Sequence, residues 1–208
     1  MLMLSSPYSS SAVRFHLVRH GVHSEFGQVL SGRAGAPRLT EAGRFQISRL
    51  AGWAGLEAVS VIQASPQVRT RETASILAAA LQKDCTAVDA LDEVDFGAWN
   101  GLTFGELEED AGWRTWNSAR WVAPTPGGET MAQAVRRMVD HMESTASTQC
   151  GQTILCVTHC DIIRGVIAHY LGLSLDNILR FDIDPGSVST ILLDEHGGRV
   201  TRINEVPA

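Results

Sequence analysis

The sequence has no hydrophobic run of the length that crosses a bilayer, which argues against a helical membrane span within it. It has no excess of basic charge either: Lys and Arg number 17 against 23 Asp and Glu, a formal net charge of -6. A general nucleic-acid binder needs a basic face, so that class is disfavoured. An anionic small ligand is not excluded, because two or three buried Arg and His make a local positive pocket on an acidic protein. The four cysteines, Cys85, Cys150, Cys156 and Cys160, show neither a CxxC pair nor zinc spacing, and no HExxH is present. Cys156 lies in an apolar run and reads as a small core residue. This usage fits a reducing, cytoplasmic location. The opening Met1-Leu2-Met3-Leu4-Ser5-Ser6-Pro7 lacks the basic start and long apolar stretch of a signal peptide. Residues 1–12 are expected to form a flexible N-terminal tail.

What is present reads as one α/β domain over 13–208, long enough at 208 residues to bury a core. Strand-like runs recur at 13–19, 59–64, 86–90, 153–158, 188–193 and 199–204. Helix-like segments lie between the earlier ones. Thr40 is a candidate N-cap for 41–54, Ser65-Pro66 opens a second helix through Leu81, a third begins near Glu129, and a fourth runs from Asp161 to Leu171. Met131, Val135, Met138 and Met142 form one stripe of the third, read as core. Glu195-His196-Gly197-Gly198 is a hairpin signal between the last two strands. Alternating strands and helices predict a three-layer α/β/α sandwich with a mainly parallel, mixed sheet. Residues 102–128, with Trp113, Trp116 and Trp121, acidic 106–110 and a Pro/Gly-rich end, read as an excursion with short helices. Its tryptophans either wall a pocket or anchor the excursion.

Two of the strand-like runs end on chemistry. Val13–Val18 leads into Arg19-His20-Gly21, and Thr153–Thr158 leads into His159. Parallel strands present their carboxyl ends along one edge, where ligands bind. Adjacent inner strands would therefore bring two histidines and an arginine to one point. Imidazole serves as a nucleophile and guanidinium clamps phosphoryl oxygens, so the pattern points to phosphoryl chemistry on histidine.

Five ordered blocks carry a family resemblance: Leu17-Val18-Arg19-His20-Gly21; Leu39-Thr40-Glu41-Ala42-Gly43; Ser65-Pro66 with Arg69-Thr70 and Glu72-Thr73-Ala74; Leu91–Glu93 with Phe96-Gly97, Trp99 and Gly101; and Thr158-His159 with Ile163-Arg164. Pro126-Gly127-Gly128-Glu129-Thr130 is a weaker sixth. Together they resemble the histidine phosphatase superfamily, with its phosphoglycerate-mutase-like fold. The resemblance implies catalytic roles for His20 as nucleophile, Glu93 as general acid and His159 as second histidine. Arg19, Arg69 and His159 would bind the substrate phosphate. Asp92 and Asp95 compete with Glu93, and alternation would turn them to the other side. Arg164 is expected to serve an ion pair near the site.

The sequence also departs from the family. After Arg19-His20-Gly21 come Val22, His23, Ser24, Glu25 and Phe26, so the Asn that often contacts phosphate is missing near Phe26. Ser24, Gln28 or Arg33 are candidate replacements, and His23 either adds a donor or faces solvent. Cys160 stands where Gly commonly follows the second histidine, which raises oxidation sensitivity. The expected function is a metal-independent phosphatase hydrolysing a phosphomonoester through a phosphohistidine on His20, with no cofactor. A phosphoglycerate-type mutase on the same scaffold is the alternative, disfavoured by the short, acidic excursion. A catalytically weak phosphate-binding protein and a two-histidine metal hydrolase are the readings from other classes. The expected partner is a small phosphorylated substrate, with neither nucleic acid nor membrane, and a homodimer is left open.

Overall fold

The computed structural model describes residues 11–206. Residues 1–10 of the expected tail lie outside the described residues. Among the described residues, six strands form one sheet: β1 (Val13–Arg19), β2 (Val61–Ala64), β3 (Cys85–Ala87), β4 (Thr153–Thr158), β5 (Val188–Asp194) and β6 (Gly197–Glu205). The order is β3-β2-β4-β1-β5-β6. The pairs β2·β3, β2·β4 and β1·β4 are parallel, whereas β1·β5 and β5·β6 are antiparallel. The mixed sheet and its late hairpin match the expectation from the strand-like runs.

Side chains alternate across a strand, and the two central strands bury both faces. Phe15, Leu17, Ile154 and Cys156 enter one core, while Val18, Leu155 and Val157 enter the other. The first core is covered by α5 (Met131–Thr148) and α6 (Cys160–Leu171), the second by α1 (Glu41–Ala51) and α2 (Val68–Leu81). These are the three layers. The Met131, Val135, Met138 and Met142 stripe is fully in the first core.

Local chemistry sets the helix ends. The Thr40 hydroxyl accepts from the Gly43 amide at 3.0 Å, starting α1 where expected. That helix stops at Ala51, short of the expected 54, and Phe45 points to solvent. Thr130 and Gln133 form a reciprocal capping box on α5. The second helix opens at Val68, three residues later than Ser65, because Ser65 is committed to hydrogen bonds described below.

The excursion contains α3 (Phe104–Glu109) and α4 (Ala111–Ser118). Asp110 caps α4 and also accepts from the Trp99 indole at 3.0 Å. Trp116 is fully buried and meets Phe96 and Trp99 edge to face, at ring separations of 6.0 and 6.4 Å. Trp116 is therefore an anchor, Trp113 lines a cavity, and Trp121 is exposed. Gly97 is at φ +57, and a Cβ there would lie 2.1 Å from the Pro126 carbonyl oxygen. This close approach joins the Phe96-Gly97 block to the Pro126–Glu129 block.

Candidate active site

Arg19 is the last residue of β1 and pairs with Thr158, the last of β4. His20 and His159 each come one step beyond that pair. The His20 amide donates to the Thr158 carbonyl at 3.1 Å, and the two imidazole rings stand 5.3 Å apart at one sheet edge. Both side chains are buried. The second residue of α2, Arg69, enters between them.

Hydrogen bonds define each ring's state. His20 Nδ1–H donates to the Gly21 carbonyl at 2.9 Å, leaving Nε2 with a lone pair that accepts from Arg69 Nε at 3.3 Å. Arg69 Nη2 donates to the Gly32 carbonyl at 2.7 Å and to His159 Nδ1 at 3.0 Å. His159 Nε2–H then donates to Ser65 Oγ at 2.8 Å, and the Ser65 hydroxyl donates to Asp92 at 3.0 Å. Burial first, and the Arg69 charge second, hold both histidines well below the ordinary imidazole range. They are neutral at physiological pH. Arg69 is 2% exposed, and its Nη1 is buried without a partner.

Arg19 donates to the Ile183 carbonyl and lies 5.3 Å over the Phe26 ring. Its Nε is also buried and unpartnered. Glu93 faces the histidine pair, with one carboxylate oxygen 3.9 Å from His159 Nδ1 and the other accepting from the Val94 amide at 3.0 Å. Its carboxyl is pushed up to about 8, by burial first and the nearby Asp161 second, against the pull of Arg69 and Arg19. The chain thus brings Arg19, His20, Arg69, Glu93 and His159 together around one cavity of about 400 Å³, which His159 supports from behind rather than lining directly.

Asp92 turns to the other side from Glu93, as alternation implies, and reaches behind His159, 3.7 Å from Nε2, where it also accepts from Gln67 at 3.0 Å. Asp95 instead caps the Gly97 amide and the Asn100 side chain. None of Ser24, Gln28 and Arg33 lines the cavity; His23 and Ser31 do. The His23 ring is 5.2 Å from His20, and its Nδ1 accepts from the Glu25 amide, which leaves Nε2 as a donor. Burial, then Arg69 and Arg19, lower it to about 4, so it too is neutral. Arg164 makes the expected ion pairs, with Asp161 and Asp182. Cys160 is pushed up to about 11 by burial, which keeps the thiol protonated and argues against the expected oxidation sensitivity.

Sequence reasoning missed the clamp beneath Glu93. Arg137 donates to the Ala90 carbonyl at 2.6 Å and the Asp92 carbonyl at 3.1 Å, and Arg33 to the Glu93 carbonyl at 2.7 Å. Both arginines pair with Glu129, which also accepts from the Asp95 amide. The one available signal was the Glu129 of the sixth block.

The sequence model of the histidine phosphatase superfamily, branch 1, matches residues 15–206. The chain belongs to the histidine phosphatase superfamily. A phosphoserine phosphatase 1 of Hydrogenobacter thermophilus is 30% identical over 197 residues, covering 92% of each chain. An adenosylcobalamin/alpha-ribazole phosphatase of Escherichia coli is 26% identical, over 88% of this chain and 91% of its own. Among solved structures, Bacillus stearothermophilus YhfR superposes with a TM-score of 0.86 at 25% identity, covering 94% of this chain and 98% of that one. The fold is accordingly phosphoglycerate-mutase-like, and this histidine phosphatase is a phosphoric monoester hydrolase. Among the described residues, no helix is long and apolar enough to cross a membrane.

Proposed function

We propose that the chain hydrolyses a small phosphomonoester without a metal, through a phosphohistidine on His20. The observation that carries this reading is the orphaned, buried Nη1 of Arg69, set between two neutral histidines. A buried donor without a partner costs free energy, and a buried cation costs more. A phosphoryl group supplies the missing acceptor and the compensating charge. A metal cation has the opposite sign and would meet this guanidinium between the two imidazoles.

The steps follow from the hydrogen bonds. The Gly21 carbonyl holds the His20 proton on Nδ1, so Nε2 attacks phosphorus. Arg19 and Arg69 hold the equatorial oxygens, where charge builds as the transfer proceeds. For His159 to donate to a phosphate oxygen, Arg69 Nη2 leaves Nδ1 for that oxygen and a proton from solvent takes its place, with Asp92 supporting the charged ring through Ser65. Glu93 carries its proton below about pH 8 and gives it to the leaving alcohol. The resulting carboxylate activates the water that cleaves the phosphohistidine. His23 Nε2–H adds a neutral donor on the open side of the site.

Brief incubation with a labelled phosphomonoester, followed by acid quench or alkaline denaturation, tests the intermediate. Acid-labile, base-stable label is expected on the wild type and not on His20→Ala, with free phosphate accounting for all substrate consumed. Equal labelling of His20→Ala places the nucleophile elsewhere. Phosphate recovered on a second alcohol, with little set free, establishes the mutase.

A further inference from the structure

The cavity continues past the phosphate-binding groups, and its outer half differs in character. Phe26, Leu30, Phe96, Phe104, Trp113 and Leu179 face it. Phe26 and Phe104 are 41% and 36% exposed, so two phenyl rings stand open to solvent at the mouth of a charged site. Both are fixed by structure. Phe26 rests against the Arg19 guanidinium and edge-on to the His23 ring at 6.1 Å. Phe104 is the first residue of α3, whose preceding turn is closed by the Thr103–Glu106 capping box. Trp113 packs against Trp99 at 5.4 Å and Phe96 at 6.3 Å. The wall is thus held open before any ligand arrives.

Most of the charge in this outer half is already paired, with the Nε of Arg120 left buried without a partner. Arg120 donates to Asp161 at 3.0 Å and to Asn117 at 2.7 Å. Arg164 lies 3.8 Å from the same Asp161 and 3.4 Å from Asp182. Burial pushes the Asp161 carboxyl up, but Arg120 and Arg164 outweigh that and keep it ionised. A substrate carboxylate would have to compete with Asp161 for the terminal nitrogens of these arginines, which leaves it only the buried Arg120 Nε. A substrate ammonium would lie beside a neutral Glu93 and an Asp161 already paired with two arginines. The leaving alcohol must start at Glu93, because that carboxyl supplies its proton, and from there the aromatic wall is the continuation of the same cavity.

We propose that the outer half is a leaving-group subsite for an apolar, uncharged alcohol, and that the substrate is a phosphomonoester of that class rather than a phosphorylated amino acid or hydroxy acid. The inference rests on the phosphatase reading above. Apolar groups seated in such a wall gain through area removed from water, and ring-on-ring contacts add to it.

The test compares benzyl phosphate, phosphoserine and glycerol 3-phosphate, all of which release unactivated primary alcohols. Phosphate release is followed for the wild type, Phe104→Ala and Trp113→Ala. Phe104 is partly exposed at a helix start, so its truncation leaves the core intact even if loss of Trp113 disturbs the excursion. Wild-type kcat/KM on benzyl phosphate is expected to exceed that on either polar ester by about tenfold or more, the discrimination available to apolar pockets. The ratio of benzyl to glycerol-ester kcat/KM should fall severalfold in Phe104→Ala. Equal or higher kcat/KM on phosphoserine, with phosphate released from every ester, overturns the inference and leaves the phosphatase reading standing. An unmoved ratio in both variants overturns the assignment to this wall. Release from none of the three overturns the phosphatase reading and this inference with it.

Discussion

Replacing Glu93 with Gln tests its proposed role as the acid that protonates the leaving oxygen. The carboxyl titrates at about 8 rather than 4.5, because burial and Asp161 disfavour its charge more than Arg69 and Arg19 favour it. At pH 7 a group of that pKa is protonated about ten to one. Above pH 8, kcat/KM on an alkyl phosphate should therefore fall about tenfold per pH unit as the acid is lost. Glu93→Gln is nearly isosteric and keeps a hydrogen-bonding amide, yet it cannot transfer a proton. General acid catalysis contributes typically ~10²–10⁴-fold, so turnover of benzyl phosphate should drop by that factor. This corresponds to about 3–5 kcal/mol of barrier. p-Nitrophenyl phosphate has a leaving group that departs without help, so its turnover should fall less than about tenfold. Steady-state phosphate release from both esters between pH 5 and 9.5 provides the measurement. Equal slowing of the two esters would refute the role, as would survival of the alkaline limb in the variant. Asp92 already bonds Ser65 and Gln67, so it has no free oxygen to take over cheaply.

Two further predictions concern groups away from the phosphate. Arg137→Ala frees the segment that carries Glu93 without touching the cavity, so kcat on an alkyl phosphate should fall by about 10–100-fold through misplacement of the acid. Inhibition by inorganic phosphate should be unchanged, and a matching loss of phosphate affinity would show that Arg137 acts on the anion site. His16 is buried beside β5, where burial and then Arg14 lower it to about 4 and its Nδ1 meets the Thr190 hydroxyl at 3.0 Å. The unfolded chain takes up this proton near pH 6.5 and the folded chain only near 4, so the stability it contributes is full above 6.5 and lost as pH falls towards 4. Between pH 7.5 and 4.5 the wild type should lose about 2.5 kcal/mol more than His16→Gln in urea unfolding, and equal losses would refute this account.

The parts of the site that the sequence displayed were those written in consecutive residues. Arg19-His20 and Thr158-His159 each follow an apolar run, and a parallel pairing of those runs is enough to bring the rings together. Arg69 and Glu93 needed the order of the blocks, since no local pattern says that a helix start and an irregular segment converge on a strand end. The clamp was not legible because its partners are far apart in sequence: Arg33 meets Glu129 across 96 residues and Arg137 meets Glu93 across 44. Asp92 lies on the other side from Glu93, as alternation implied, but its link to His159 through Ser65 was not legible, and Asp89–Leu91 form a 3-10 turn just before it. The same turn shortened β3 from the expected 86–90 to Cys85–Ala87. Phe26 looked like the loss of a phosphate ligand. Only in three dimensions does it become a wall beside Arg19.

The excursion gives the fold a division of labour with an evolutionary consequence. Its α3 and α4 contribute walls to the cavity, while His20, Arg69 and Glu93 are all supplied by other segments. Trp116 and the Asp110–Trp99 hydrogen bond fasten it to the body. A lineage that preserves those fastenings is free to rewrite the intervening residues, changing which alcohol is accepted while the phosphorus chemistry stays as it was. The excursion is an interchangeable cassette, and recombination at its borders is a short route from one specificity to another.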